Sequence, residues 1–331
     1  MEKLNRRAFL KYTGAAGGAL MLGWSGRTES AGPGQSLVAF CRTEDRQAGV
    51  SASIKGLGVN PVKGKDVLIK PNFNTADIAP GSTHNDTLVA LVKELWAMGA
   101  KSIRLGERSF PPTAEVMAQK GILPLMKELN VPVINFDDLD KKDWVEFKPR
   151  ESHWQNGFRV ARPVIEAECL VSTCCLKTHG FGGIFTMSLK LHVGVVPTVR
   201  HGFDYMQELH RSPDMRKMIA EINQAFKPDL VVLDGVDVFV KGGPGTGVRA
   251  KGNVFLASAD RVAIDSVGVA ILKHLGATSP IMTKKIFEQE QIQRAAELGL
   301  GASSPDKIDV KAVDDQSQAY RNQIVEILKQ G

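Results

Sequence analysis

The sequence is poor in cysteine, and its few cysteines are not spaced like the ligands of a metal or a cluster. The chain has four, Cys41, Cys169, Cys174 and Cys175, and no Cys-x-x-Cys pair occurs among them. Iron-sulfur and zinc-finger sites usually contain such pairs, so neither is predicted and no iron-sulfur cluster is expected. The cysteines are interpreted as small buried hydrophobic side chains, with a redox role for Cys175 as the lesser alternative.

The sequence also lacks the features of nucleic-acid-binding and membrane-spanning proteins. No run of basic residues is interleaved with aromatic residues, so no nucleic-acid partner is expected. The apolar stretch Tyr12 to Trp24 is too short and too rich in glycine to favour a stable membrane span. No low-complexity segment, repeat or long linker interrupts the chain.

The N-terminal segment matches a twin-arginine export signal. Its pattern is Asn5-Arg6-Arg7-Ala8-Phe9-Leu10-Lys11, followed by a stretch rich in glycine and alanine. We therefore expect residues 1–31 to be a signal peptide, with cleavage near Ser30-Ala31. This predicts an exported protein, periplasmic or extracellular, with the twin-arginine translocase as its partner during export. Because this route carries folded proteins, it also favours a bound cofactor.

The charge of the chain is concentrated in that segment. Residues 1–31 hold five basic and two acidic side chains, which is half of the formal net charge of +6, so the mature protein is only mildly basic. The remaining length, residues 32–331, suits a single domain, with two lobes at about 37–165 and 166–331 as the alternative.

Strand-like and helix-like segments alternate along the mature chain. This pattern predicts an α/β fold with a mainly parallel sheet flanked by helices, and a cleft between lobes if there are two. The predicted strands are Leu37 to Cys41, Val67 to Ile69, Ser102 to Leu105, Val131 to Phe136, Cys169 to Leu176, Leu230 to Leu233 and Asn253 to Ala257. The predicted helices are Thr87 to Met98, Thr113 to Leu129 with an interruption near Gly121 to Pro124, Phe185 to Val193, Asp214 to Phe226, Asp260 to Leu275 and Lys284 to Leu298. The segment Trp144 to Arg162 is predicted to form hairpins or an insertion.

The most reactive part of the sequence follows the apolar strand Cys169 to Leu176. Four of the seven histidines lie within the next few dozen residues, together with two lysines. Loops at the carboxyl ends of buried strands are where α/β proteins place their sites. We predict catalytic roles for Lys177, His179 and Lys190, and metal ligation by His179, His192 and His201. The metal would be nickel, zinc or iron.

A second set of polar residues follows the strand Val67 to Ile69. Lys70, Asn72, Thr83 and His84 are predicted to bind a cofactor, because lysines near a helix N-terminus suit an anion. Helix capping explains Thr83 as well as ligand binding does, whereas it explains Lys70 and His84 less well. The segment Glu107-Arg108-Ser109 is interpreted equally as a solvated turn or as part of the site.

The third constellation lies near the end of the apolar run Leu230 to Leu233. Asp234 is predicted to be catalytic, by orienting a histidine or joining the metal. Gly243 and Gly245 are predicted to bring backbone amides to an anionic cofactor, although the loop lacks P-loop spacing and a plain flexible loop is the alternative. Asp260 is predicted to cap its helix, and Asp265 either faces the site or has a buried partner.

Taken together, these motifs resemble the domain-of-unknown-function family 362 over roughly residues 37–275. The motifs that carry the resemblance are Ile69-Lys70-Pro71-Asn72, Thr83-His84, Lys177-Thr178-His179, Asp234-Gly235, Gly243-Pro244-x-x-Gly247 and Asp260-Arg261-Val262-Ala263-Ile264-Asp265. Relatives often show Lys-Asn-Leu and a glycine after Lys-Thr-His, where this chain has Ser188 to Gly194 with histidine in place of asparagine. Some relatives carry a ferredoxin-like segment, which this chain lacks.

A fainter similarity links the same region to the nickel-pincer lactate racemase family. It consists of His179-x-x-Gly182-Gly183, Lys190 and Gly194-x-x-Pro197. In that family histidines and a lysine hold a nickel-bearing cofactor that moves hydride at a 2-hydroxy acid. The resemblance implies cofactor attachment at Lys190, metal ligation by His201, and isomerisation or redox chemistry on a small anionic molecule.

Three functions fit these features. The first is an exported enzyme whose cleft, lined by histidines and lysines, holds a metal or an anionic cofactor together with a small anionic substrate. The second is a non-catalytic exported binding protein for a small anion. The third is a structural or assembly factor in which these residues are mainly caps and turns.

Overall fold

A ten-stranded sheet forms the centre of the protein. The computed structural model describes residues 34–200 and 202–330, and these belong to one compact unit. The predicted signal segment, residues 1–31, lies outside the described residues. The strands are β1 Ser36–Arg42, β2 Asp66–Lys70, β3 Ser102–Glu107, β4 Val133–Asn135, β5 Trp144–Phe147, β6 Phe158–Ala161, β7 Cys169–His179, β8 Ile184–Thr186, β9 Val199–Arg200, β10 Phe203–Asp204, β11 Leu230–Gly242, β12 Gly247–Lys251, β13 Val254–Ser258 and β14 Ile308–Ala312.

The sheet is mainly parallel, as predicted. Its order is β14-β1-β13-β11-β7-β2-β3-β4, with β12 paired to β11 and β8 paired to β7. The run β11-β7-β2-β3-β4 is parallel throughout, and only the pairs that involve β8, β12 and β13 are antiparallel. All eleven residues of β7 are buried, which is expected for a central strand covered on both faces.

Helices cover both faces of this sheet. They are α1 Arg46–Gly56, α2 Asn85–Ala97, α3 Thr113–Gln119, α4 Ile122–Glu128, α5 Arg162–Ile165, α6 Ser188–Leu191, α7 Tyr205–Arg211, α8 Met215–Ile222, α9 Arg261–His274, α10 Ser279–Thr283, α11 Glu290–Glu297 and α12 Asp315–Gln330. One face packs against α1 to α4, and the other against α9, α11, α12 and the β5-β6 hairpin. No helix among the described residues is long and apolar enough to cross a membrane.

Two predicted elements differ from the structure near the candidate site. The helix predicted from Phe185 to Val193 begins only at Ser188, because β8 first pairs antiparallel with the end of β7. Gly182, with a φ of +78°, provides the left-handed backbone that this hairpin turn needs. The strand predicted from Leu230 to Leu233 continues to Gly242 and forms a hairpin with β12.

Candidate functional site

The candidate site lies at the carboxyl edge of the sheet, where the strand order reverses. Strands β2, β3 and β4 follow one another in one direction from β2, while β7 lies on the other side of β2. Such a switch point leaves a crevice between neighbouring loops, and ligands of open α/β sheets bind there. The loops that follow β2, β3 and β7 carry most of the residues predicted from the sequence.

Lys177 and His179 lie at the C-terminal end of β7 and are both buried. The ammonium of Lys177 donates to the carbonyl oxygens of Gly81 and Pro244, and therefore ties the loop after β2 to the β11-β12 hairpin. The ring of His179 accepts a hydrogen bond at Nδ1 from the Phe181 amide at 3.3 Å. Lys177 thus has a bridging role, whereas the other ring nitrogen of His179 has no side-chain hydrogen bond within residues 34–200 and 202–330.

Lys190 lies opposite His179, across the glycine loop that joins β7 to β8. A Cβ built on Gly183 would lie 2.7 Å from Cε of Lys190 and 2.9 Å from Nδ1 of His179. The glycine therefore lets the backbone lie directly against both side chains. Among the described residues, the Lys190 amine has no hydrogen-bond or ion-pair partner.

The short helix α6 fixes the position of Lys190. Asp265, on α9, accepts hydrogen bonds from the Ser188 and Leu189 amides at 2.8 and 2.9 Å. This satisfies the predicted alternative in which Asp265 has a buried partner. Burial raises the pKa of the Asp265 carboxyl to about 7, despite the opposing effect of these two amides.

The electrostatic environment disfavours positive charge on both Lys190 and His179. Burial, followed by the nearby charges of Lys177 and Arg108, lowers the pKa of Lys190 to about 7. Burial, followed by the charges of Lys190 and Lys177, lowers the pKa of His179 to about 2. Near neutral pH the lysine therefore exchanges a proton readily, and the imidazole is neutral.

Arg108 belongs to this group, although the sequence did not distinguish it from a solvated turn. Its guanidinium is buried and donates to the Val193 carbonyl and the Thr198 hydroxyl, at 2.9 and 3.1 Å. Its Nε atom is buried without a hydrogen-bond partner. The sequence signal that could have identified Arg108 is a pair of polar residues at the end of a buried strand. We call Arg108, Lys177, His179 and Lys190 the Lys190 cluster.

Lys70 is close to this cluster but is already neutralised. Its ammonium lies 2.5 Å from Oε1 of Glu107 and 2.7 Å from the Pro71 carbonyl, and both charged side chains are 1% exposed. Burial lowers the pKa of Lys70 and raises that of Glu107. Gly194 packs so closely that a Cβ there would lie 2.9 Å from the ammonium. The Lys70 ammonium is therefore already paired with a carboxylate, and its predicted role in holding an anion stays a prediction.

Asn72, Thr83 and His84 stabilise the loop after β2. The Asn72 amide donates to the Thr83 hydroxyl at 2.9 Å, and the Thr83 amide donates back to the Asn72 carbonyl at 2.8 Å. His84 is the N-cap of α2, because its Nδ1 accepts from the Asp86 amide at 3.1 Å. Capping therefore explains His84 better than the sequence analysis expected. A cofactor-binding role of these three residues stays a prediction.

The predicted glycines approach other protein atoms. A Cβ on Gly243 would lie 2.1 Å from the Thr178 carbonyl oxygen, and a Cβ on Gly245 would lie 2.3 Å from a carboxylate oxygen of Asp77. These close approaches account for glycine at both positions. The hairpin tip is packed against β7 and the loop after β2, so the alternative of a plain flexible loop is wrong.

Asp234 is hydrogen bonded to residues of neighbouring elements. Its carboxylate accepts from Nε of Arg46 at 3.1 Å and from the Thr87 hydroxyl at 2.6 Å, and it also accepts from the Val236 amide. These partners join α1, α2 and β11, and neither a histidine nor the Lys190 amine is among them. These contacts give Asp234 a structural role, and its predicted catalytic role stays a prediction. The nearby Cys175 thiol is buried, and burial raises its pKa to about 11.

Two of the three predicted histidine ligands lie among the described residues. His192 is fully buried, and its ring nitrogens are hydrogen bonded to Ser172 at 3.0 Å and Asn223 at 2.8 Å, while metal ligation by it stays a prediction. His201 lies outside the described residues. Among the residues 34–200 and 202–330, no group of three or more histidine, cysteine, aspartate or glutamate side chains is arranged to hold a metal ion. His179 and Lys190, which the fainter resemblance assigns to the nickel-bearing cofactor, lie on either side of Gly183. Cofactor attachment at Lys190 and metal ligation by His179 and His201 stay predictions.

The fold and site define an α/β protein with a cationic cluster at a topological switch point. A family model described as a domain of unknown function, DUF362, matches residues 67–270. The chain belongs to this family, as its motifs predicted, and the matched region contains every member of the Lys190 cluster.

Three known proteins are similar to this chain. The thylakoid-associated protein sll1697 of Synechocystis sp. is 27% identical over 282 residues, which are 81% of this chain and 84% of that protein. The lactate racemase apoprotein of Thermoanaerobacterium thermosaccharolyticum has a TM-score of 0.42 at 13% identity, covering 87% of this chain and 86% of that one. A Thermotoga maritima protein has a TM-score of 0.40 at 16% identity, covering 65% and 55%.

Proposed function

We propose that the protein is an exported enzyme that binds a small anionic molecule at the Lys190 cluster and exchanges a proton with it through Lys190. The observation that carries this proposal is the unpartnered Lys190 amine beside Arg108 and Lys177. Cationic side chains that lie together are stabilised when an anion binds between them.

The arrangement of the cluster assigns different tasks to its members. Arg108 has a buried Nε without a hydrogen-bond partner, and this atom can donate to an anionic oxygen. Lys190, with its pKa near 7, gives up or takes a proton at little cost. His179, which is neutral, offers its free ring nitrogen as a hydrogen-bond partner. Lys177 contributes positive charge while its ammonium joins the two neighbouring loops.

Anion binding is tested by titrating the protein with acetate and with inorganic phosphate at pH 6 in a calorimeter. We expect Lys190→Gln to weaken binding by at least tenfold, because it removes the cation without a partner. The control is Lys241→Gln, the same change at an exposed lysine on the same edge of the sheet. Equal affinities of the wild type and Lys190→Gln would contradict the proposal.

Proton exchange is tested separately from binding. A panel of 2-hydroxy and 2-oxo carboxylates is incubated with the protein in deuterium oxide, and loss of carbon-bound hydrogen is followed by nuclear magnetic resonance. We expect exchange with the wild type and none with Lys190→Gln or Lys190→Arg, since arginine does not give up its proton. Binding without exchange for every compound would point to the non-catalytic binding protein.

Export is also part of the proposal, and it rests on the motif around Arg6 and Arg7. Lysine keeps the positive charge but does not replace arginine where a receptor reads its planar donors. We expect the double change Arg6→Lys and Arg7→Lys to leave the precursor inside the cell in a fractionation experiment. Continued export of the double variant would contradict the twin-arginine assignment.

A further inference from the structure

Large apolar side chains are exposed around the Lys190 cluster. Among the described residues, nine large hydrophobic side chains are exposed, and six lie on loops or hairpins at the carboxyl edge of the sheet: Ile78, Phe110, Phe181, Val199, Phe203 and Val248. Ile78, Phe110 and Phe181 are 72%, 77% and 73% exposed, although each follows a different strand of the sheet. Grouped exposure of this kind marks binding surfaces.

Four of these side chains adjoin groups that form the cluster or hydrogen bond with it. Phe181 follows His179 by two residues, and their ring centroids are 6.1 Å apart. Phe110 follows Arg108 by two residues, and Val199 is next to Thr198, which accepts a hydrogen bond from Arg108. We call Ile78, Phe110, Phe181 and Val199 the apolar rim.

Ile78 completes the rim on the side of β2. Its carbonyl accepts from the Gly81 amide at 2.9 Å, and the Gly81 carbonyl in turn accepts from Lys177. The loop after β2 is also joined to the loop after β3, because the Phe110 amide donates to the Asn74 carbonyl at 2.9 Å. The rim therefore follows a set of linked loops around the buried cations.

We propose that the molecule bound at the Lys190 cluster has an anionic head and an apolar tail, with the head on Arg108 and Lys190 and the tail against the apolar rim. This inference rests on the proposed function and specifies the class of substrate. The occupant is a single amphiphilic molecule such as a medium-chain carboxylate.

Burial distinguishes a single molecule from a flat membrane surface. Lys177 is 0% exposed, Arg108 6% and His179 8%, so an anion must enter between the loops to contact them. A planar layer of head groups would reach only the rim. A short anion without a tail would reach the cations but would leave the rim in water.

The test is a calorimetric titration of the full chain with acetate, butanoate, hexanoate and octanoate at pH 6, below the concentrations at which these compounds form micelles. Each methylene that is buried contributes about 0.8 kcal/mol, which corresponds to roughly fourfold in affinity. We expect affinity to rise about two- to fourfold for each added methylene. In the double variant Phe110→Ser and Phe181→Ser, we expect this rise per methylene, measured relative to the variant's own acetate affinity, to fall to less than half.

The matched control is Val59→Ser, which changes an exposed valine in the loop before β2, at the opposite edge of the sheet. This control should keep the full dependence on chain length. Acetate binding that requires Lys190, with no dependence on chain length, would overturn this inference and leave the proposed function standing. The absence of binding by every carboxylate would overturn both.

Two further outcomes would also overturn the inference. A dependence on chain length that persists in full in the rim variant would place the tail elsewhere. Cosedimentation with vesicles of phosphatidylglycerol and phosphatidylcholine, without affinity for monomeric octanoate, would identify a membrane surface as the occupant.

Discussion

Lys190 combines a half-buried position with neighbours of its own charge. Most lysines in proteins keep their heads in water, where the ammonium is well solvated. Here α6 holds the side chain against Gly183, and Arg108 and Lys177 add positive charge nearby. Keeping this amine in place therefore lowers the stability of the folded protein near neutral pH. A lysine that can lose its proton near neutral pH is a common feature of functional sites.

This environment predicts how stability depends on pH. The pKa of Lys190 is about 7 in the folded protein and 10.5 in the unfolded chain, so between these values the unfolded chain binds more protons. Stability due to this residue therefore rises with pH across that window. We expect the wild type to gain roughly 3 kcal/mol relative to Lys190→Met between pH 7 and pH 10.5, allowing for partial exposure of the side chain.

The measurement is urea denaturation of both proteins at several pH values. All other titrating groups are shared, so their contributions cancel in the difference. Anion affinity should change in the opposite direction and decline as pH rises through about 7, because the ammonium is lost. A difference in stability that stays constant from pH 7 to pH 10.5 would contradict the shifted pKa.

At the scale of single residues, the sequence predicted where the cluster lies better than what each member does. Lys177, His179 and Lys190 converge because they follow the same buried strand. Asp234 and His192 are also titratable residues at or after the ends of buried strands, but their side chains are hydrogen bonded to residues that are distant in the chain. Arg46 is 188 residues from Asp234, and Asn223 is 31 residues from His192. No local pattern indicates such contacts.

At the scale of elements, the position of Lys190 depends on the contact between α6 and α9. The helix α6 has only four residues, too few to be stable on its own. The carboxylate of Asp265, on the buried helix α9, accepts hydrogen bonds from the first two amides of α6. The carboxylate therefore serves as a remote cap for the element that carries the lysine.

Removing this cap should affect both stability and binding. We expect Asp265→Ala to lower the free energy of unfolding by about 2–4 kcal/mol, because two buried amides lose their acceptor. Acetate affinity should fall as well, since α6 no longer fixes Lys190. Asp265→Asn keeps one carbonyl oxygen and should give an intermediate result.

The measurements are urea denaturation and acetate titration. The control is Ser266→Ala, which removes a fully buried hydroxyl bonded within its own helix and should cost less than about 1 kcal/mol. Full acetate affinity in a destabilised but folded Asp265→Ala variant would show that α6 does not need this cap to position Lys190.

Strands and helices were predicted correctly where their apolar residues follow the period of a strand or of a helix. The central strands and the helix α9 follow such patterns, and Asp260 caps α9 as expected, accepting from the Val262 and Ala263 amides. The segment from Phe185 was predicted as helix because its pairing with β7 depends on a turn through Gly182. The last strand, β14, and the helix α12 were not predicted, since β14 is stabilised by pairing with β1, far away in the chain.

At the scale of the whole molecule, the continuous sheet argues against two independent lobes. The strand β7, from the second half of the chain, lies between β2 and β11, and β14 pairs with β1 from the first half. Any division at about residue 165 would separate strands that share hydrogen bonds. The described residues should therefore unfold together.

A core substitution at one edge should report on the other edge. Ile324, on α12, is fully buried against β1, whereas Trp96, Trp144 and Trp154 all lie in the first half of the chain. The background carries Trp24→Phe and Trp154→Phe, because Trp24 lies outside the described residues and the Trp154 indole donates to the Met218 carbonyl of the second half. Fluorescence then follows Trp96 and Trp144. We expect Ile324→Ala to lower stability by about 3 kcal/mol, with equal shifts of the urea midpoints by fluorescence and by circular dichroism.

The control is Gln323→Ala, at an exposed neighbouring position, which should shift neither midpoint. A fluorescence midpoint that does not move in Ile324→Ala would mean that the first half unfolds independently, and the cluster between β2 and β7 would then lie at a boundary between two lobes.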